Sequence, residues 1–104
     1  MPRVKYSTLT EQMFYVLLSL KEECCGIDIL EKVPIITGNR VHIGSGTLYD
    51  LLEEFVSNEM IRETRREGRK RSYILTDKGY EMLHKEYMRL CTQVDDYRTT
   101  FRRE

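Results

Sequence analysis

Met60-Ile61-Arg62-Glu63-Thr64-Arg65-Arg66-Glu67-Gly68-Arg69-Lys70-Arg71-Ser72-Tyr73-Ile74-Leu75 is the stretch on which the reading of the fold turns. Apolar residues close both ends, and Gly68 sits near the middle. The pattern predicts a β-hairpin with strands at residues 60–66 and 70–75 and a turn at Glu67-Gly68-Arg69. From Arg62 to Arg71 six cations face only Glu63 and Glu67, a net charge of +4. The whole chain holds 17 basic and 17 acidic residues and is neutral, so the rest of it sums to −4. A hairpin with a basic tip and basic arms suits a phosphate backbone.

The elements around the hairpin set its context. Thr10 is placed to cap a first helix, with Glu11 in its first turn where a negative charge complements the dipole. Met13 to Leu20 is apolar nearly all round, which predicts a central core helix. Asp28 to Val33 reads as a short second helix that Pro34 ends or kinks. Arg40-Val41-His42-Ile43 alternates as a short strand does. Gly44-Ser45-Gly46-Thr47 then forms a turn whose hydroxyls can cap a third helix, from about Thr47 to Ser57. Leu48, Leu51, Leu52 and Phe55 follow the i, i+3, i+4, i+7 spacing of its buried face. Asn58 is its C-cap.

Thr76 and Asp77 open a final helix. Tyr80, Leu83, Tyr87, Leu90, Val94, Tyr97 and Phe101 recur at alternating steps of three and four, an a/d seam over three heptads. A helix of about 27 residues spans ~40 Å, longer than a domain of this size can cover along one stripe. A second copy of the chain is the simplest partner. The aromatics of the seam pack the dimer or line an effector pocket.

The fold class is therefore mainly α with a small β-hairpin (α+β): a winged helix-turn-helix plus a long C-terminal dimerisation helix. Residues 1–76 would form the DNA-binding part with an N-terminal arm at 1–9, and residues 77–104 the dimerisation helix, in one compact unit. The third helix would enter the major groove and the hairpin, or wing, lie on the flanking backbone. Candidate DNA-binding residues are Ser45, Thr47, Tyr49 and Asp50 at the start of the third helix, and Arg65, Arg66, Arg69, Lys70 and Arg71 on the wing. Arg40 precedes the helix and touches backbone or stays a surface polar group. Tyr49 is either a groove contact or partly buried, and Arg62 pairs with Glu59 or Glu63 if it does not reach DNA.

Gly44-Ser45-Gly46-Thr47-Leu48-Tyr49, then Leu51-Leu52, Met60-Ile61 and Tyr73-Ile74-Leu75-Thr76-Asp77-Lys78-Gly79, resembles the PadR-like transcriptional regulators over roughly residues 8 to 84. G-x-G-T-L-Y followed at this distance by Y-x-L-T-x-x-G is a specific combination. The resemblance implies a dimeric winged-helix repressor on a pseudo-palindromic operator, of the short subgroup with a single C-terminal helix. It also implies response to a small hydrophobic or aromatic effector near the dimer interface, where Tyr6 and the Met13/Phe14 face could contribute. The family commonly has a tyrosine after the glycine that opens the second helix, and this chain has Ile27 after Gly26.

Other classes are less supported. No phosphate loop, nucleophile–histidine arrangement or metal-ligand motif is present, so neither an enzyme nor a cofactor is expected. Cys24, Cys25 and Cys91 read as free thiols, since adjacent cysteines bridge only under strain. A protein–protein adaptor on the same fold is the rival reading, but it has no need of clustered cations. No apolar run suits a membrane span, and the N-terminus has no secretory h-region, so a cytoplasmic address is expected.

Overall fold

Two threonine hydroxyls start the two helices that the sequence predicts most firmly. Thr10 Oγ1 accepts the Met13 N–H at 3.2 Å and opens α1 (Glu11–Ser19). Thr76 Oγ1 accepts the Gly79 N–H at 3.1 Å and opens α4 (Asp77–Thr100). Between them the computed structural model, which describes residues 8–102, places β1 (Cys24–Cys25), α2 (Gly26–Ile36), α3 (Ser45–Ser57), β2 (Ile61–Glu67) and β3 (Lys70–Leu75). Four helices and a three-stranded antiparallel sheet form a winged helix-turn-helix with a long terminal helix. The N-terminal arm expected at residues 1–9 lies outside the described residues except for its last two positions.

The core is built as the periodicities require. Val16, Leu17 and Leu20 of the first helical segment are fully buried, as are Ile29, Val33, Leu48, Leu52 and Phe55. Leu51 is only partly buried and packs on the rim of this cluster. The hairpin turns at Gly68-Arg69, where Gly68 takes φ +62°, a conformation that glycine adopts at no steric cost. Thr64 is an extra residue in β2, because the ladder steps from Glu63 opposite Tyr73 to Arg65 opposite Ser72. Such a bulge sharpens the local twist and re-aims the strand beyond it.

Three expectations are corrected. The alternation at Arg40-Val41-His42-Ile43 is real, with Val41 and Ile43 buried and His42 exposed, but the segment has no sheet partner. Thr37 Oγ1 instead accepts the Val41 N–H at 3.1 Å and donates to the Val33 carbonyl at 2.8 Å. The third strand is Cys24–Cys25, paired with β3, and two residues carry no readable period. Secondly, α2 runs through Pro34 to Ile36. Pro34 stands two residues from the helix end, so its missing N–H costs a single bond there. Its carbonyl accepts the Asn39 N–H at 2.7 Å, closing the helix through Asn39 at φ +65°. Thirdly, α3 begins at Ser45 with Gly44 as its N-cap, and no side chain caps it.

The final helix is anchored where it begins. A Cβ added to Gly79 would lie 2.0 Å from the Met60 carbonyl oxygen and 2.9 Å from Leu75 Cδ1. The backbone of α4 therefore rests directly on the start of β2, and only glycine permits it. Further along, Glu86 is 4% exposed. Its carboxylate accepts the Leu9 N–H at 3.2 Å and is gripped by both Arg89 Nε and Nη2. Hydrogen bonding to Arg89, joined by the Leu9 N–H and opposed by burial, holds this carboxyl below the usual range.

Two outcomes follow. Gly79→Ala should destabilise the fold by about 1–3 kcal/mol, as overpacking does, and a urea titration reads it directly. For Glu86 the folded pKa is depressed, so its stabilisation is complete above the ordinary carboxylate range and is lost as pH falls through the folded value. Glu86→Gln should cost about 1–3 kcal/mol at pH 7, and the gap to the native chain should close on acidification below the carboxylate range. A gap that stays constant with pH would exclude the ionised carboxylate as its source.

Candidate nucleic-acid interface

The absence of a side-chain cap on α3 is a local consequence of its sequence. Gly44 has no hydroxyl or carboxylate to offer, so the Ser45, Gly46 and Thr47 N–H groups of the first turn have no capping side chain. These three residues, together with His42 and Gly44, are exposed. Short side chains around uncompensated N–H groups let a phosphate or a base edge approach the helix end closely. Tyr49 and Asp50 are exposed one turn on, while Leu48 and Leu52 on the opposite face hold the helix in the core.

Tyr49 rests on Gly26. A Cβ at Gly26 would come within 2.9 Å of the tyrosine Cε1 and hydroxyl. The hydroxyl end of the ring thus lies against the start of α2, and the residue is 47% exposed. This accommodates both readings of Tyr49, since the residue packs against Gly26 and is still half exposed. Cys25 supports the same corner. Its N–H donates to Asp28 Oδ2 at 3.2 Å and its thiol to the same oxygen at 3.3 Å, and these two bonds hold the Asp28 carboxyl below its usual range. Burial pushes the neighbouring Cys24 thiol up, consistent with an inert core thiol.

The wing divides its cations into two groups. Arg66 pairs with Glu63 at 3.3 Å, and Arg65 lies 3.8 Å from Glu23, which also accepts a hydrogen bond from Thr64. Among the described residues, Arg69, Lys70 and Arg71 form no ion pair. Arg62 pairs with neither Glu59 nor Glu63. Arg40 is engaged elsewhere: its guanidinium donates to Glu11 at 3.3 Å and to the Tyr15 hydroxyl at 3.2 Å. Glu23 and Glu11 lie some forty and thirty positions from their partners, so local sequence gave no sign of either contact.

The structure brings Tyr49 and the wing tip together around a cleft of about 640 Å³. Arg69, Lys70 and Arg71 form one wall, Tyr49 and Glu53 the other, and Ile27 and Tyr73 complete it. Ser45, Thr47 and Asp50 lie outside the cleft on the exposed start of α3. Glu53 and Ile27 have no motif to mark them. They are legible only once α2, α3 and the hairpin are folded together.

The sequence profile of the transcriptional regulator PadR-like family matches residues 16–85. The chain belongs to this family. PadR-like proteins are transcriptional regulators and not enzymes, so this chain is a transcriptional regulator. A transcriptional regulator from Clostridium thermocellum has a similar structure, with TM-score 0.71, 17% identity and coverage of 88% of this chain and 93% of that one. A PadR family regulator from Eggerthella lenta gives TM-score 0.73 at 19% identity, covering 89% and 83%. Bordetella bronchiseptica BpsR, whose DNA binding is regulated by 6-hydroxynicotinic acid, gives 0.65 at 21%, covering 89% and 62%. At such identities the likeness establishes the fold. No curated protein matches the sequence. Within the PadR frame, Ile27 occupies the place of the tyrosine that commonly follows the glycine opening the second helix. It is 60% exposed on the edge of the cleft. Among the described residues, no helix is long and apolar enough to cross a membrane.

Proposed function

We propose that this PadR-like protein is a homodimeric DNA-binding repressor. One observation carries the reading: α3, whose exposed start has no side-chain cap, shares through Tyr49 a cleft with three wing cations that form no ion pair among the described residues. In this arrangement Ser45, Thr47, Tyr49 and Asp50 read the major groove, and Arg69, Lys70 and Arg71 hold phosphates. Arg65 and Arg66 contribute less than the sequence suggests, because Glu23 and Glu63 already offset them. Arg40 serves the packing of α1 against the loop before α3.

The dimer rests on the exposed apolar row of α4. Tyr80, Tyr87, Leu90, Val94, Tyr97 and Phe101 are all exposed, whereas Leu83 is buried in its own chain's core and leaves the seam. The chain is also extended for its length, with a radius of gyration of 15.6 Å against about 13 Å for a compact domain of this size. Two copies joined through α4 present two α3 helices and two wings to a two-fold site with half-sites about one helical turn apart, roughly 34–36 Å. Release by a small planar or hydrophobic effector belongs to the same reading, and the BpsR neighbour supports it.

Binding to the DNA upstream of the chain's own gene, measured across salt concentration, tests the wing. Replacing Arg69, Lys70 and Arg71 with alanine should lower the log–log salt slope by about 2.7 per wing and weaken all sequences alike. An unchanged slope would remove the wing from the interface. For the dimer, a Tyr87→Asp/Val94→Asp variant should sediment as a monomer at concentrations where the native chain is dimeric, with its helical circular dichroism retained. A native chain that is monomeric throughout would overturn this part.

A further inference from the structure

We propose that the cleft between α3 and the wing is itself a ligand site, for a flat, fused-ring aromatic anion, and that its occupant excludes DNA. The site is distinct from the α4 seam. Its volume, about 640 Å³, falls within the range of small-molecule pockets and exceeds what a single ring fills. The Tyr49 ring, whose hydroxyl end lies against Gly26, lines the cleft and is half exposed, and Ile27 and Tyr73 add apolar surface.

The charge comes from β3. Residues 71, 73 and 75 share one face of this strand, and Tyr73 is buried on it. Arg71 therefore extends from the same face that covers the core, out over the cleft. Its cross-strand partner is Arg66, a like-charge pair that destabilises a hairpin. Glu63 relieves Arg66 at 3.3 Å, whereas among the described residues Arg71 forms no ion pair. An anion held by Arg71 removes the remaining repulsion. Glu53, on the opposite wall, can accept a hydrogen bond from an N–H or O–H on the far end of the ligand. The bound rings would cover Tyr49 and occupy the wing cations, so one occupant blocks both groups that the DNA reading requires.

Direct binding does not depend on DNA and is measured first, by calorimetry with 2-naphthoate, with its uncharged amide as the control. Naphthoate should bind one per chain, at least tenfold more tightly than the amide. Arg71→Ala, an exposed hairpin substitution whose folding circular dichroism checks, should weaken it at least tenfold. Amide shifts in the NMR spectrum should centre on Gly26, Tyr49 and Gly68. No binding at millimolar naphthoate, equal binding of the amide, insensitivity to Arg71→Ala, or shifts centred on α4 would each overturn the site. The exclusion of DNA rests on the proposed function above. Naphthoate should displace operator DNA from the native chain, and a ternary complex would overturn exclusion. If the chain binds no DNA at all, that reading fails while the calorimetry still decides the site.

Discussion

Three elements meet at the hydroxyl of Thr76. It donates to the Glu59 carbonyl at 2.6 Å and accepts the Gly79 N–H at 3.1 Å, while the Thr76 backbone N–H donates to the Met60 carbonyl at 3.0 Å. Glu59 stands at φ +63°, the left-handed exit from α3. One residue thus joins the end of α3, the start of β2 and the first turn of α4. Gly79 completes the joint by bringing helix backbone onto the Met60 carbonyl. The Leu75 N–H donates to the Leu20 carbonyl at 3.0 Å, which ties the same corner to the end of α1. The direction of α4 relative to α3 and the wing is fixed here. In a dimer built on α4, this joint would set the distance between the two wings.

The wing shows how charge is sorted by geometry. Six cations in ten residues are equivalent in sequence, but the bulge at Thr64 separates them in space. Beyond Glu63 the strand is re-aimed, so Arg65 lies near Glu23 at the end of the α1–β1 connection while Arg66 stays beside Glu63. Exposed pairs of this kind contribute little to stability. Their effect is electrostatic, since they shift the centre of positive charge towards the hairpin tip. The tip cations are also the ones that share a cleft with Tyr49.

The legible part of the fold was whatever a local signal could carry. Thr10, Thr76, the 3.6-residue spacing of Leu48, Leu52 and Phe55, and Gly68 at the turn each state their role within a few residues. What could not be read depended on distant pairing. Cys24–Cys25 becomes a strand because β3 offers an edge beside it, and no two-residue segment announces that. The alternation at residues 40–43 was correct as burial and misleading as secondary structure, because an extended chain needs a neighbour to become a strand. The candidate site divides in the same way. Arg69, Lys70, Arg71 and Tyr49 were found from motif and charge. Glu53, Ile27 and the seat at Gly26 needed the packing of α2 beneath α3.

The seam of α4 shows how one apolar stripe can change its cover along its length. A heptad repeat drifts about 20° per heptad on a straight helix. The column Leu83, Leu90, Tyr97 therefore continues the buried face marked by Gly79 and Glu86, while Tyr80, Tyr87, Val94 and Phe101 run along its flank. Leu83 lies over the core and is buried by its own chain. Leu90 and Tyr97 occupy the same column, and they are exposed because the globule ends beneath the helix near Glu86. A continuous stripe read from sequence thus divides where the domain stops. Its first turns complete the winged helix-turn-helix. The remainder, apolar and uncovered, would extend the same hydrophobic surface into a second copy. For a chain whose own core is small, folding and any association of this kind would draw on one continuous apolar face.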